Sequence, residues 1–262
     1  MFLCLLGLAF LISSIGFKKY IWFISLGYGF SIAAIGAALI ITFHDELTCG
    51  TMIACTLLIL YGFRLGGYLA YREMKSTSYN TKMKTEIKDG KYMPLLAKCG
   101  IWISSALLYT CQTSPLLFRL ENNAHSDSFL WIGLFISICG LILESAADLQ
   151  KSSGKRANPR RFIDTGLFRI VRCPNYFGEM LFWTGVFIGS VNTLHGVWQW
   201  VASVFGYIEI LFVMFSGARR LELRQERTYG DDPTYQIYVK KTPILLPLIP
   251  LYSLKKHKWL VS

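Results

Sequence analysis

The chain has 262 residues, 53% of them hydrophobic, with a mean hydropathy of +0.41 and a formal net charge of +11. The apolar residues come in blocks about as long as the roughly 20 residues that a helix needs to cross a bilayer. That pattern excludes an ordinary soluble globule and predicts one all-α, polytopic membrane domain over residues 1–262. The positive charge then points to basic loops beside anionic lipid on the cytoplasmic side, not to nucleic acid.

Seven transmembrane helices are predicted, at about 2–17, 20–43, 51–71, 95–111, 129–147, 176–191 and 197–216. The first resembles the apolar core of a signal peptide, but Lys18 and Lys19 follow it and no basic residue precedes it, so it reads as a span, with a cleaved signal as the lesser alternative. Of the 27 Lys and Arg, two lie at 18–19, seven in 72–98, seven in 151–172 and nine after 216. The alternate loops hold only Arg119, and Arg64 lies inside a span. This alternation places the N-terminus outside and the C-terminus in the cytoplasm. It fits a bacterial inner membrane and an endoplasmic reticulum membrane equally. The 72–98 loop reads either as a solvated basic loop or as one holding a short amphipathic piece. The basic tail, 217–262, ends in a Lys255–Lys258 cluster suited to lipid headgroups. The seven cysteines have no CxxC spacing and read as small hydrophobes.

Charged groups within spans are costly and mark function. In the third span Tyr61, Arg64, Tyr68 and Arg72 recur at helical spacing and share one stripe, with Gly66 and Gly67 beside it to admit another helix. At the end of the fifth, Glu144 and Asp148 are i,i+4 and face one way. They read as exposed helix-end acids, as a polar pair around a donor, or as a metal site without histidine. The segment 164–178, DTGLFRIVRCPNYFG, is broken by Gly166 and Pro174. There Arg169 and Arg172 stand beside a helix start carrying Asn175 and Glu179, a pattern suited to phosphate or to a basic inner loop. Lys155, Arg156, Arg160 and Arg161 precede it. Glu209, inside the seventh span, needs a partner. Arg219, Arg220, Glu222, Arg224 and Glu226 read as salt-bridged neighbours on a solvated helix face. The four histidines are scattered, and no P-loop, dinucleotide fingerprint or nucleophile elbow occurs.

The runs GLFRIVRCPNYFGEMLFWTG, ESAADLQK and FRLGGYLAYR together resemble the steroid 5α-reductase superfamily over about residues 55–250. The RxPxY core is shared with isoprenylcysteine carboxyl methyltransferases. The resemblance implies a seven-helix membrane enzyme that takes NADPH from the cytoplasmic side. Such an enzyme passes a hydride to the C=C bond of a lipophilic, steroid- or lipid-like enone. By motif, Tyr61 falls where the family has its carbonyl-polarising tyrosine. Arg64, Tyr68, Glu144, Asp148, Lys155, Arg161, Arg169, Arg172, Asn175, Glu179, Arg220 and Glu222 fall at or near cofactor contacts. Two positions depart from the family. Cys173 replaces the usual histidine of the motif, and the second span has no Glu beside the tyrosine, only Ser25, Tyr28 and Ser31. Asp45 and Glu46 lie in an outer loop. An S-adenosylmethionine-dependent methyltransferase and a non-catalytic binding protein keeping the fold are the alternative readings. The expected partners are a lipophilic small molecule and membrane lipid.

Overall fold

A computed structural model describes residues 1–75 and 93–260. The stretch read as holding an amphipathic piece falls mostly outside these residues, as does the side chain of Arg72. Among the described residues the fold is 76% helix, with no strand. The helices are α1 (Phe2–Ser13), α2 (Leu26–Thr42), α3 (Cys49–Lys75), α4 (Leu95–Glu121), α5 (Ser128–Ala157), α6 (Pro174–Ile188), α7 (Gly196–Tyr229) and α8 (Pro233–Lys241). Single 3-10 turns extend α1 and precede α2.

Each predicted span contains or overlaps a helix, but the spans differ in how well they suit a bilayer. Four stretches are long and apolar enough to cross one: Tyr20–Thr42, Cys49–Tyr71, Ser128–Ala157 and Gly196–Tyr229. These make the chain a helical membrane protein. The α1 helix is shorter. The 15 residues of α6 reach roughly 22 Å at about 1.5 Å each, short of a hydrocarbon core of about 30 Å. The α4 helix is long enough but polar, and from Tyr109 to Leu120 every residue is buried. That second half is enclosed by protein on all sides, so it need not be apolar.

The backbone forms two compact units, one of Met1–Leu134 with Val186–Tyr207, the other of Phe135–Gly185 with Ile208–Ser262. In the first, α2 and α3 run antiparallel at near backbone contact. A Cβ on Gly29 would stand 2.6 Å from the Gly66 nitrogen, and one on Gly36 would stand 2.8 Å from the Cys55 carbonyl oxygen. Only glycine permits this approach. Gly66 thus takes the expected packing role, whereas Gly67 faces open space. The α1 helix crosses α4 in the opposite sense, with Phe2 against Phe118 and Phe10 against Trp102. The Trp102 indole N–H donates to the Phe10 carbonyl at 3.0 Å.

In the second unit, α5 and α6 meet the same way. A Cβ on Gly178 would lie 2.6 Å from the Glu144 nitrogen and 2.8 Å from the Gly140 oxygen. Residues 217–229, read as the start of a tail, continue α7, because after Gly217 neither glycine nor proline occurs before Gly230. Asp232 then caps α8, accepting the Thr234 N–H at 2.8 Å with Pro233 at the first helical position. The segment after α8 folds back. Arg172 and Cys173 donate their backbone N–H groups to Pro243 and Ile244 at 2.9 and 3.0 Å.

Candidate functional site

In the first unit the predicted stripe of α3 leads into a tyrosine cluster. Tyr61 is wholly buried, and its hydroxyl lies 2.9 Å from that of Tyr28 on α2. The Tyr28 ring lies 5.1 Å from that of Tyr109 on α4, whose hydroxyl donates to the Phe23 carbonyl at 2.6 Å. Arg64 and Tyr68 follow Tyr61 along α3 and are half-buried. Tyr28 was legible only as a polar residue of the second span. Tyr109 was missed, although the polar run Tyr109–Ser114 inside an apolar stretch marks it.

Arg119 is a correction. Its place in an outer loop followed from ending the fourth span at 111, but α4 continues to Glu121 and Arg119 is fully buried. Its guanidinium donates to the Gly189 carbonyl at 2.9 Å and to that of His125, and it pairs with Asp127 at 3.0 Å. Asp127 caps α5 through the Leu130 N–H at 2.9 Å and accepts from the Asn192 amide at 2.8 Å. Partial desolvation opposes its ionisation. The hydrogen bonds from Asn192, Leu130 and Arg119 outweigh this and hold the carboxyl below its ordinary range.

In the second unit, four of the predicted residues gather where α5 meets α6. Glu144 and Glu179 are buried, and the contact at Gly178 sets the register of the two helices. Gly140 faces Phe182 and Glu144 faces Gly178, so Asp148, one turn on, runs towards the start of α6. The Asn175 side-chain oxygen is buried there without a hydrogen-bond partner among the described residues.

Other predicted residues are engaged with the protein itself. Arg172 and Glu222 form a buried ion pair at 3.1 Å. Arg172 also donates to the Tyr252 carbonyl, and the second Glu222 oxygen accepts the Leu254 N–H at 2.8 Å. The solvated-face reading therefore fails for Glu222, which α7 turns inward against the returning C-terminal segment. Glu226 pairs not with an arginine of its own helix but with Lys255, at 2.8 Å. Lys155 donates to the Arg161 carbonyl at 2.6 Å and to the Tyr229 hydroxyl at 2.8 Å. Arg161 pairs with Asp164 at 3.1 Å. Phe162 anchors this loop among the rings of Tyr229, Tyr235 and Tyr238. Arg169 and Arg220 are exposed. Cys173 is buried, and burial pushes its thiol up to about 11.

These features define a helical membrane protein with a buried tyrosine cluster in one unit and an acid–amide cluster at a helix junction in the other. The chain belongs to the family described as "Protein of unknown function (DUF1295)", whose pattern matches residues 9–242. No curated protein and no solved structure matches it.

Proposed function

We propose that the protein is an NADPH-dependent integral membrane reductase that saturates the C=C bond of a lipophilic enone. The observation that carries this reading is the buried Tyr28–Tyr61 hydroxyl pair. If Tyr28 donates to Tyr61, Tyr61 can turn its own O–H to a bound substrate carbonyl, and the donated bond makes Tyr61 the stronger donor. Hydride addition at the β-carbon pushes an electron pair onto the carbonyl oxygen. A phenol already aimed at that oxygen stabilises the enolate. The α-carbon then takes a proton, for which the tyrosine pair offers a relay. Tyr28 would thus serve where the family resemblance expects a carboxylate. The association of the matched family with steroid 5α-reductase-like proteins agrees with the reading.

The second unit has groups that fit the cofactor. The Asn175 oxygen and the Glu144 and Glu179 carboxylates can accept from a carboxamide NH2. Asp148 lies on the same face of α5, and Arg169 and Arg220 offer exposed cations for phosphates. Lys155, Arg161, Arg172 and Glu222 act one step back, fixing the loop and the start of α6. When bound, NADPH would supply the hydride. Seven spans with the N-terminus outside and the C-terminus inside complete the proposal. They would put the basic loops on the side where NADPH is found.

Purified protein titrated with NADPH and with S-adenosylmethionine, followed by its unfolding temperature, tests the reading. Stabilisation by NADPH is expected. Stabilisation by S-adenosylmethionine alone would sink the proposal in favour of methyl transfer.

A further inference from the structure

Two buried polar side chains of the first unit have no hydrogen-bond partner among the described residues. They are Ser31 on α2, at 0% exposure, and Gln112 on α4, at 3%. For Gln112 this holds of both the amide nitrogen and the oxygen. A bare amide or hydroxyl in an apolar interior is costly, and at membrane depth no bulk water relieves it.

Their helical neighbours show that local relief is available and unused. Thr110, Thr113 and Ser114 on α4 bond back to carbonyls three or four residues earlier, at 2.9, 3.0 and 2.8 Å. Ser13 and Ser25, before α2, do the same at 2.6 and 2.9 Å. A helical serine has this option by default, yet Ser31 does not take it.

Each orphan lies one helical turn beyond one of two neighbouring tyrosines. Ser31 is i+3 from Tyr28 and Gln112 is i+3 from Tyr109, so each shares a helix face with one of two rings that lie 5.1 Å apart. The α1 helix runs antiparallel to α4 and packs, through a short connection, antiparallel to α2. Hence α2 and α4 are parallel, and both orphans lie about 4.5 Å further along in the same direction. No charged residue occurs in α2, and those of α4 lie in its first turn or last turn, as Lys98, Arg119 and Glu121.

We propose that Ser31 and Gln112 form a polar subsite inside the first unit that takes the oxygen function of a neutral lipophilic molecule. Gln112 offers a donor and an acceptor, and Ser31 offers a rotatable hydroxyl, so a carbonyl or a hydroxyl fits and an ion does not. That this molecule is the enzyme's substrate rests on the reductase reading; the subsite itself does not.

The test uses the full chain in detergent without NADPH. Cholest-4-en-3-one and its hydrocarbon counterpart cholest-4-ene are titrated against wild type, Gln112→Leu and Ser31→Ala, with the unfolding temperature as readout. Wild type is expected to prefer the ketone. Each variant is expected to lower the ketone-to-hydrocarbon affinity ratio about two- to tenfold, the worth of one net hydrogen bond, with hydrocarbon affinity kept. Ser31→Ala removes a single oxygen and carries the test even if Gln112→Leu folds poorly. A wild type without preference, or a ratio unchanged in Ser31→Ala, overturns the proposal. A ketone preference that Ser31→Ala lowers, in a protein that oxidises no NADPH when it is then added, would sink the reductase reading and leave the subsite standing.

Discussion

Glu222→Leu removes the partner of a buried guanidinium and the acceptor of a buried backbone N–H. Breaking a buried ion pair from one side costs about 3–5 kcal/mol, because the remaining charge stays uncompensated. The orphaned Leu254 N–H adds about 1–3 kcal/mol. Adding Arg172→Met to Glu222→Leu takes away the stranded charge but not the stranded N–H, and the Tyr252 carbonyl that Arg172 served belongs to an exposed residue and can turn to water. The double variant should therefore regain the ionic part and remain roughly 1–3 kcal/mol below wild type. In thermal unfolding, Glu222→Leu alone should lose on the order of 10 °C, and the double variant should recover most of it. A double variant that loses the sum of the two single losses would refute the reasoning, since coupled neighbours cannot be additive. NADPH titration of the double variant separates support of the motif from direct cofactor contact. Support predicts an affinity within about threefold of wild type, well under the tenfold that about 1.4 kcal/mol of direct contact would carry.

Three other outcomes are expected. Tyr61→Phe should lower kcat for enone reduction about 10²- to 10³-fold, as loss of an oxyanion donor does, while Tyr28→Phe should lower it less and leave NADPH binding unchanged in a titration. The Asp127 carboxyl is held below its ordinary range when folded, so its contribution to stability is present above about pH 4 and is lost as pH falls through the folded value. Unfolding temperature followed from pH 7 to pH 3 should show this acid loss in wild type and a weaker one in Asp127→Asn. Cys173, buried with its thiol pushed up to about 11, should resist N-ethylmaleimide at pH 8 until the protein is denatured, by mass spectrometry of the labelled peptide.

The apolar blocks made the helices legible, because hydropathy reports what lipid demands. They misjudged α4, where protein takes the place of lipid as the surrounding medium. That error put Arg119 in a loop. Helical spacing found the Tyr61 stripe and the Glu144–Asp148 face, since both lie within single helices. Register between helices was not legible, and so the Tyr28–Tyr61 bond and the Gly178 contact came only from the fold. The arginine motif was read for its charge. Its partner Glu222 lies 50 residues away, a distance over which local pattern carries no information.

The enclosed α4 helix also bears on how the protein enters a membrane. A segment bearing Gln112, Arg119 and several hydroxyls cannot partition into lipid on apolar content alone. Its insertion has to be subsidised by neighbours that shield these groups as it leaves the translocation channel. Biogenesis of the first unit is then a joint event, in which α4 waits for company and a lesion in α1 or α2 strands it.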